Sequence, residues 1–375
     1  MTTSPPCDRA ADGALAGVRG AQLLMGCESL EPSLSFFVQK LGFRVDAIFP
    51  ADDPATAMVS GHGLAIRLSR GAARGVEALY LLCDDPLTVA AGQTTLTAPN
   101  GVRIHLVAAD PAMKVPTTRQ ALVLTRAASD EQWGVGRAGM RYRDLLPERH
   151  GGAFIASHIR ILVGGPVPDY VHFHKIQFQT IFCRKGWVRV VYEGQGEPFV
   201  MHAGDCVLQP PEIRHRVLES SAGAEVVEIG APAEHITIAD HRLALPTPER
   251  YPQRDFSGQR FVRHIASEAT WSPWRRDGFE MRDTGIGAAT AGLAGVRVLR
   301  AAAGHSGTDE QQHETEFCFY FVLDGRVTVA VDGKQFALAP DDSIAIPDST
   351  AYRFSGASAD LNLLEVTLPA RFETR

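Results

Sequence analysis

The sequence predicts a mainly β protein, with two tandem antiparallel β barrels preceded by a smaller α+β module. Three observations carry this. Strand-like runs recur about every ten residues from Met140 onward, separated by Gly, Pro, Asp or Glu-Gly. Gly 35 and Pro 23 in 375 residues supply the turns that many short strands need. The chain also repeats itself: Arg143-Asp144 returns as Arg282-Asp283, His174 as His313, Gly186 as Gly325 and Glu193-Gly194 as Asp332-Gly333, all 139 residues apart. Pro210 returns as Pro347 at an offset of 137, after a two-residue deletion. One offset held over this span, with one small gap, marks an internal duplication.

In chain order, residues 1–18 are small, polar and Pro-containing, and read as a loose tail. Over 19–110, GAQLLMG is a strand, and LEPSLSFFVQKLGF is an amphipathic helix closing on Gly42. Short strands follow: FRVDAIFP, TAMVSGHG, LAIRLSR, ALYLLCD and, after a Pro-Asn-Gly turn, VRIHLVA. Residues 111–134 are a connector with one helical turn. The first barrel spans 135–245 and includes FIASHIRIL, QTIFCRKGWVRVVYE, EPFVMHAGDCVLQPP and EVVEIGAPA. A charged, Pro-rich linker at 246–260 leads to the second barrel, 261–375, with GVRVLRAAAG, FCFYFVLDGRVTVAVDG, KQFALAPDDSIAIP and LNLLEVTL.

Composition narrows the function. Apolar residues make up 45% and charged residues 21%, as in an ordinary globular chain, which excludes a disordered or coiled-coil protein. The formal net charge of −6 offers no footprint for nucleic acid or an anionic membrane. There is no signal-peptide core and no apolar run long enough to span a bilayer. The six cysteines (7, 27, 83, 183, 206, 318) form no CxxC pair and read as reduced thiols, which suggests a cytoplasmic location. The expected partners are small molecules, with a homodimer expected from the family resemblance of the N-terminal segment given below.

The chemistry sits in VHFHKIQFQTIFCRKG and GDCVLQPPEIRH. His172 and His174 are two apart, so on a strand both face the same way. Gln179 and Gly186 follow, and His215 opens a later strand after Pro210-Pro211. Three imidazoles converging inside a barrel suit Zn, Fe, Ni, Cu or Mn and leave open positions for water, substrate or dioxygen. His158 and Arg160 share a strand face. If that face is the barrel interior, Arg160 can grip a substrate carboxylate. Ile181 and Cys183 share the parity of Gln179 and read as barrel lining. Trp187 reads as rim or interface, His202 as exposed, and His235 and His241 receive no role.

This spacing resembles the cupin superfamily, whose motifs run G-x5-H-x-H-x3,4-E-x6-G and G-x5-P-x-G-x2-H-x3-N. Here H-x-H is followed by x4, Gln179, x6 and Gly186, and Gly204-x5-Pro210 by Glu212, x2 and His215. The resemblance covers both barrels and implies jelly-roll folds. It also implies His172, His174 and His215 as metal ligands, with Gln179 as a fourth. Gln179 stands where cupins carry glutamate, and Glu219 replaces the closing Asn. A neutral fourth position leaves a divalent ion its full charge. In the second copy the matching positions hold Gln311, His313, Cys318 and Tyr352, so no tightly bound metal is expected there.

The 19–110 segment is similar to the βαβββ module of the vicinal-oxygen-chelate (glyoxalase/bleomycin-resistance) superfamily, through the first strand, the LEPSLSFF helix start, the LGF turn and PNGVRIHL. That resemblance places Gln22 and His105 at ligand positions, in a site that a second copy would have to complete. The cupin resemblance implies one divalent ion per chain, iron first and zinc, manganese, nickel or copper otherwise. It also implies a dioxygenase acting on a small aromatic or carboxylated substrate, with Gln179, Arg160 and His158 serving the reaction. The alternatives are a non-redox isomerase, lyase or hydrolase, and a small-molecule-binding cupin without catalysis.

Overall fold

The computed structural model describes residues 17–73, 76–97, 103–127 and 133–375. Nearly all of the N-terminal tail, Cys7 and the Pro99-Asn100-Gly101 turn lie outside the described residues. The chain forms two compact units, Met1–Ile48 with Ala55–Ala112, and Phe49–Pro54 with Met113–Arg375.

In the smaller unit, strand Val18–Cys27 leads into a helix, followed by strands Arg44–Phe49, Thr56–Gly61, Leu64–Arg70, Val76–Cys83, Thr95–Thr97 and Arg103–Ala108. Val18–Cys27 lies parallel to Leu64–Arg70 and antiparallel to Val76–Cys83. His62 and Gly63, both at positive φ, make the two-residue hairpin between Thr56–Gly61 and Leu64–Arg70. The helix is not α throughout: Leu30–Ser35 is α, and Phe36–Lys40 is a π turn. The wider turn packs Phe37 edge-on against Phe43, 5.4 Å between centroids, and the segment ends at Gly42 with φ +72. Leu30, Leu34 and Phe37 cover a core of Ile48, Ala57, Val59, Ile66 and Leu68.

The larger unit holds the two jelly-roll barrels. In the first, one sheet contains Cys206–Leu208, Phe178–Lys185, Ala224–Ala231, Ile155–Ile161 and Arg141–Asp144, and the other contains Phe199–His202, Trp187–Tyr192, His215–Ser220, His172–His174 and Thr237–Ala239. In the second, the larger sheet contains Phe279–Asp283, Gly295–Ala301, Asn362–Leu368, Phe317–Asp324 and Ser343–Ala345, and the smaller contains Lys334–Leu338, Val327–Val331 and Tyr352–Ser355. Val188 pairs with Met201, and Val327 with Leu338, so the 139 offset becomes 137 within this hairpin turn.

The repeat reaches further than the sequence motifs showed. Val123–Thr125 pairs with Ser343–Ala345 of the second barrel, and Val262–His264 pairs with Cys206–Leu208 of the first. The two strands are themselves 139 apart, so each copy lends its leading strand to the other's sheet. The repeated Arg-Asp motif has the same work in each copy. Arg143 donates to the Asp341 carbonyl at 2.7 Å, and Arg282 to the Gly204 carbonyl at 3.4 Å. Asp144 accepts from the Leu146 amide and Asp283 from the Gly285 amide, both at 2.8 Å.

Three apolar cores result. One fills the first barrel, around Met140, Ile159, Val190 and Tyr192. A second fills the other barrel, around Trp274, Tyr320, Tyr352 and Phe354. The largest lies between the barrels, where Phe178, Phe182, Val227 and Ile229 meet Val296, Val298, Phe317, Phe319 and Phe321. The large sheets are therefore buried on both faces.

Candidate metal centre and cavity

His172 and His215 are cross-strand partners, and His174 follows two residues along from His172. Ring centroids lie 4.3 Å apart for His172–His215 and 5.2 Å for both His172–His174 and His174–His215. One ligating nitrogen from each falls within 4.8 Å of the other two. Each ring is oriented through Nδ1. His172 Nδ1 donates to the Tyr170 carbonyl at 2.8 Å, and His215 Nδ1 to the Ile213 carbonyl at 2.9 Å. His174 Nδ1 shares a 2.9 Å hydrogen bond with Thr237 Oγ1. Tying Nδ1 this way frees Nε2 as the coordinating atom. His172 Nε2 is fully buried without a protein partner, as a metal-facing nitrogen would be.

Burial pushes the His172 and His174 imidazoles well below their usual range, and His215 down to about 4. All three are thus neutral near pH 7, the state that ligates. The sign of the stability effect follows. Between the unfolded value of 6.5 and about 4, the unfolded chain binds protons that the folded chain refuses. His215, and His313 in the second barrel at about 4 by burial, each contribute stability above that window and lose it as pH falls. A displacement of this size is worth about 3 kcal/mol. Thermal melts of chelator-treated protein are expected to show the midpoint dropping steadily from pH 7 to pH 4. A flat profile would contradict this assignment of buried neutral rings.

The His174 and His215 rings open onto the barrel cavity. Met140, Ile159, Ile161, Ile181, Val188, Val190, Val217 and Val226 form its apolar wall, and His174, His215, Gln179, Gln209, Arg137, Tyr142 and Glu228 its polar part. Gln179 is 2% exposed, and its Nε2 donates to Glu228 Oε1 at 2.5 Å. Burial raises the Glu228 carboxyl above its usual range, against the opposing effect of the Gln179 hydrogen bond. Arg137 pairs with Asp169, whose two oxygens also accept from the Tyr170 and Val217 amides at 2.9 Å. Burial alone would raise Asp169. The Arg137 guanidinium overrides it and holds the carboxyl below its usual range. Asp169 Oδ1 also lies 3.6 Å from His172 Nδ1.

His158 and Arg160 share a strand face, and that face is not the barrel interior that a carboxylate grip by Arg160 requires. Ile159 and Ile161 face the cavity, so the alternate residues face outward. His158 is buried between the barrels: Nε2 contacts Glu225 Oε2 at 2.9 Å, Nδ1 accepts from Arg143 at 3.1 Å, and its ring lies 5.4 Å from Phe321. Arg160 pairs with Glu225 at 3.1 Å and lies over the Trp133 ring. His158, Glu225 and Asp341 also form a second cluster of ligand-type atoms. Arg143, Arg160 and Arg184 already supply its positive charge.

Glu228, Arg137 and Asp169 were missed in the sequence reading. Glu228 had a signal, since it stands 137 residues before Glu365, the offset that relates Pro210 to Pro347. His235 was given no role, yet its ring is buried 5.2 Å from that of His174. Ile181 lines the cavity and Cys183 is buried in the same core. Trp187 pairs with an exposed His202 across a hairpin. Glu219 sits at the surface, 3.9 Å from Arg189. Cys27, Cys83, Cys183, Cys206 and Cys318 are all free and buried.

The second copy shows what a closed barrel looks like. Tyr320 replaces Ile181, Phe354 replaces Val217 and Phe279 replaces Met140, and the interior is filled. Arg275 donates to Glu365 at 2.6 Å and to Tyr320 Oη at 2.9 Å, and Tyr320 Oη lies 3.0 Å from Tyr352 Oη. His313 Nδ1 bonds Thr315 Oγ1 at 2.9 Å. No metal-type cluster occurs there among the described residues. In the smaller unit, Gln22 and His105 do not converge. Tyr80 stands between them in the sheet, Gln22 Oε1 accepts from Arg67, and His105 packs on the Tyr80 ring.

Residues 297–367, in the second barrel, match the family model described as Cupin domain. The two tandem barrels together also match solved structures in fold. Bacillus subtilis oxalate decarboxylase, studied for its Mn(II) centres, aligns at a TM-score of 0.50 and 12% identity over 71% of this chain and 80% of that one. The Lactobacillus farciminis oxalate decarboxylase formate complex gives 0.49 and 13% over 68% and 88%. Protein Ylba from E. coli gives 0.48 and 13% over 69% and 96%. No curated protein matches significantly. The likeness at these identities is one of fold. Among the described residues, no helix is long and apolar enough to cross a membrane.

Proposed function

We propose that the first barrel is the active site of a metal-dependent enzyme acting on a small carboxylated or aromatic molecule by proton transfer, as a lyase, isomerase or hydrolase. His172, His174 and His215 would hold one divalent ion through Nε2. When bound, that ion supplies a Lewis acid for a substrate oxygen. The observation that carries the reading is Glu228, a carboxyl group raised above its usual range by desolvation and lining the same cavity as His174 and His215. Gln179 occupies Oε1 of Glu228, so Oε2 is the atom left to take or give a proton. The apolar wall keeps water from the reacting atoms and accommodates a hydrocarbon or aromatic body.

The dioxygenase reading is second. The apolar wall and the neutral Gln179 favour it, and Glu228 is the feature it leaves without work. One experiment separates the two. The full chain is loaded with Mn(II), Zn(II) or Fe(II) and assayed on a panel of small keto-acids, dicarboxylates and hydroxybenzoates, under argon and in air. Turnover under argon is expected. Turnover only with Fe(II) and oxygen uptake would overturn proton transfer and establish the oxidative reading.

A further inference from the structure

The two barrels carry the same Arg and Glu, wired differently. The hairpin pairings Arg141–Val135 and Glu280–Pro273 make Arg137 the counterpart of Arg275, and the 137 offset makes Glu228 the counterpart of Glu365. In the second barrel the two bond each other at 2.6 Å, and Trp274 Nε1 adds a 3.3 Å hydrogen bond to Glu365. In the first barrel they do not. Arg137 pairs with Asp169, and Glu228 takes the Gln179 amide.

The copies also differ at Asp169, the partner of Arg137. Its counterpart, 139 residues on, is Thr308. Asp169 Oδ2 accepts from the Val217 amide at 2.9 Å, and Thr308 Oγ1 accepts from the Phe354 amide at 3.1 Å. Val217 and Phe354 are themselves counterparts at the 137 offset. Both residues therefore pin the loop ahead of the first ligand-position strand to the strand beside it. Threonine does this without charge. Asparagine would also suffice, having an acceptor oxygen. The negative charge of Asp169 is thus surplus to strand pinning, and it faces Arg137, its ion-pair partner, with His172 Nδ1 3.6 Å away. Arg137 and Glu228 line the same cavity. A guanidinium and a carboxylate in a low-dielectric space pair unless another carboxylate takes the guanidinium first.

We propose that Asp169 is a positioning residue that captures Arg137, and so keeps Glu228 from being sealed in an internal ion pair like that of the second barrel. The inference rests on the reading of Glu228 as the reactive carboxyl group only for its consequence, not for its structural content.

The test is the crystal structure and metal content of full-length Asp169→Thr, with Asp169→Asn as the variant that best preserves shape, and of the double variant Asp169→Thr with Arg137→Met. In either single variant the Arg137 guanidinium is expected within about 3 Å of a Glu228 oxygen. Mn(II) content, measured as the probe metal, is expected to remain at the wild-type stoichiometry. Turnover is expected to fall at least about 10-fold and to recover in the double variant, a rescue that a purely structural role for Asp169 would not produce. An Arg137 side chain that stays clear of Glu228 in both single variants would overturn the inference. Pairing of Arg137 with Glu228 while turnover persists would uphold the positioning and overturn the role given to Glu228.

Discussion

Alanine in place of His172 or His215 is expected to strip the first barrel of its ion, with affinity falling by more than about 100-fold. Changes to groups that merely orient a ligand cost about 10- to 100-fold, and loss of a ligand itself should cost more. The two rings are cross-strand neighbours with centroids 4.3 Å apart, so losing either leaves fewer nitrogens than a tight site requires. Tyr192, Val188 and Val190 pack around this strand, and Asp169 holds it through Val217, so the barrel should survive the change. Equilibrium dialysis against Mn(II) or Zn(II) with elemental analysis reads the effect, and circular dichroism confirms the fold. In the second barrel, His313→Ala, at the counterpart of His174, should leave ion content unchanged. Equal ion binding by the His172→Ala and wild-type chains would contradict the assignment.

Glu228→Gln is expected to lower turnover by about 10²- to 10⁴-fold while leaving ion content intact. The substitution is isosteric, and its carbonyl oxygen still accepts from Gln179 Nε2. Its stability effect should run the other way. Burial raises the Glu228 carboxyl, so the folded state resists its ionisation. Carrying the charge therefore costs stability at any pH above the unfolded value. The neutral amide removes that cost, and the melting temperature at pH 7 should hold or rise. A residue that is less active but no less stable when neutralised is a mark of function placed against stability. Unchanged turnover, with a substrate established for the wild type, would remove Glu228 from the mechanism.

Much of this was legible in the sequence, and the failures have physical causes. The duplication was visible because turns and buried positions keep their spacing. Gly186, Gly325 and Gly204 occupy positive φ, and Glu193-Gly194 and Asp332-Gly333 open hairpins. The spacing of His172, His174 and His215 told which side chains share a face, and the structure brings them together. What spacing could not tell is which face is the interior. His158 and Arg160 do share one, but their strand is buried on both sides, one face lining the cavity and the other meeting the second barrel. Alternation separates inside from outside only when one side is wet. Glu228 hid in the same way, as the carboxylate in the middle of a strand, AEVVEIGA, that is otherwise mostly buried. The exchanged strands Val123–Thr125 and Val262–His264 are three residues long, too short for any periodicity to mark.

The central claim is that one ion sits among the Nε2 atoms of His172, His174 and His215 and that the second barrel holds none. Crystals of the full chain grown with Mn(II), measured for anomalous scattering, test it most directly. One strong peak per chain, about 2.0–2.3 Å from all three nitrogens and absent near His313, is the result this account predicts. A peak elsewhere, or three imidazoles turned onto protein groups with no peak between them, would contradict it.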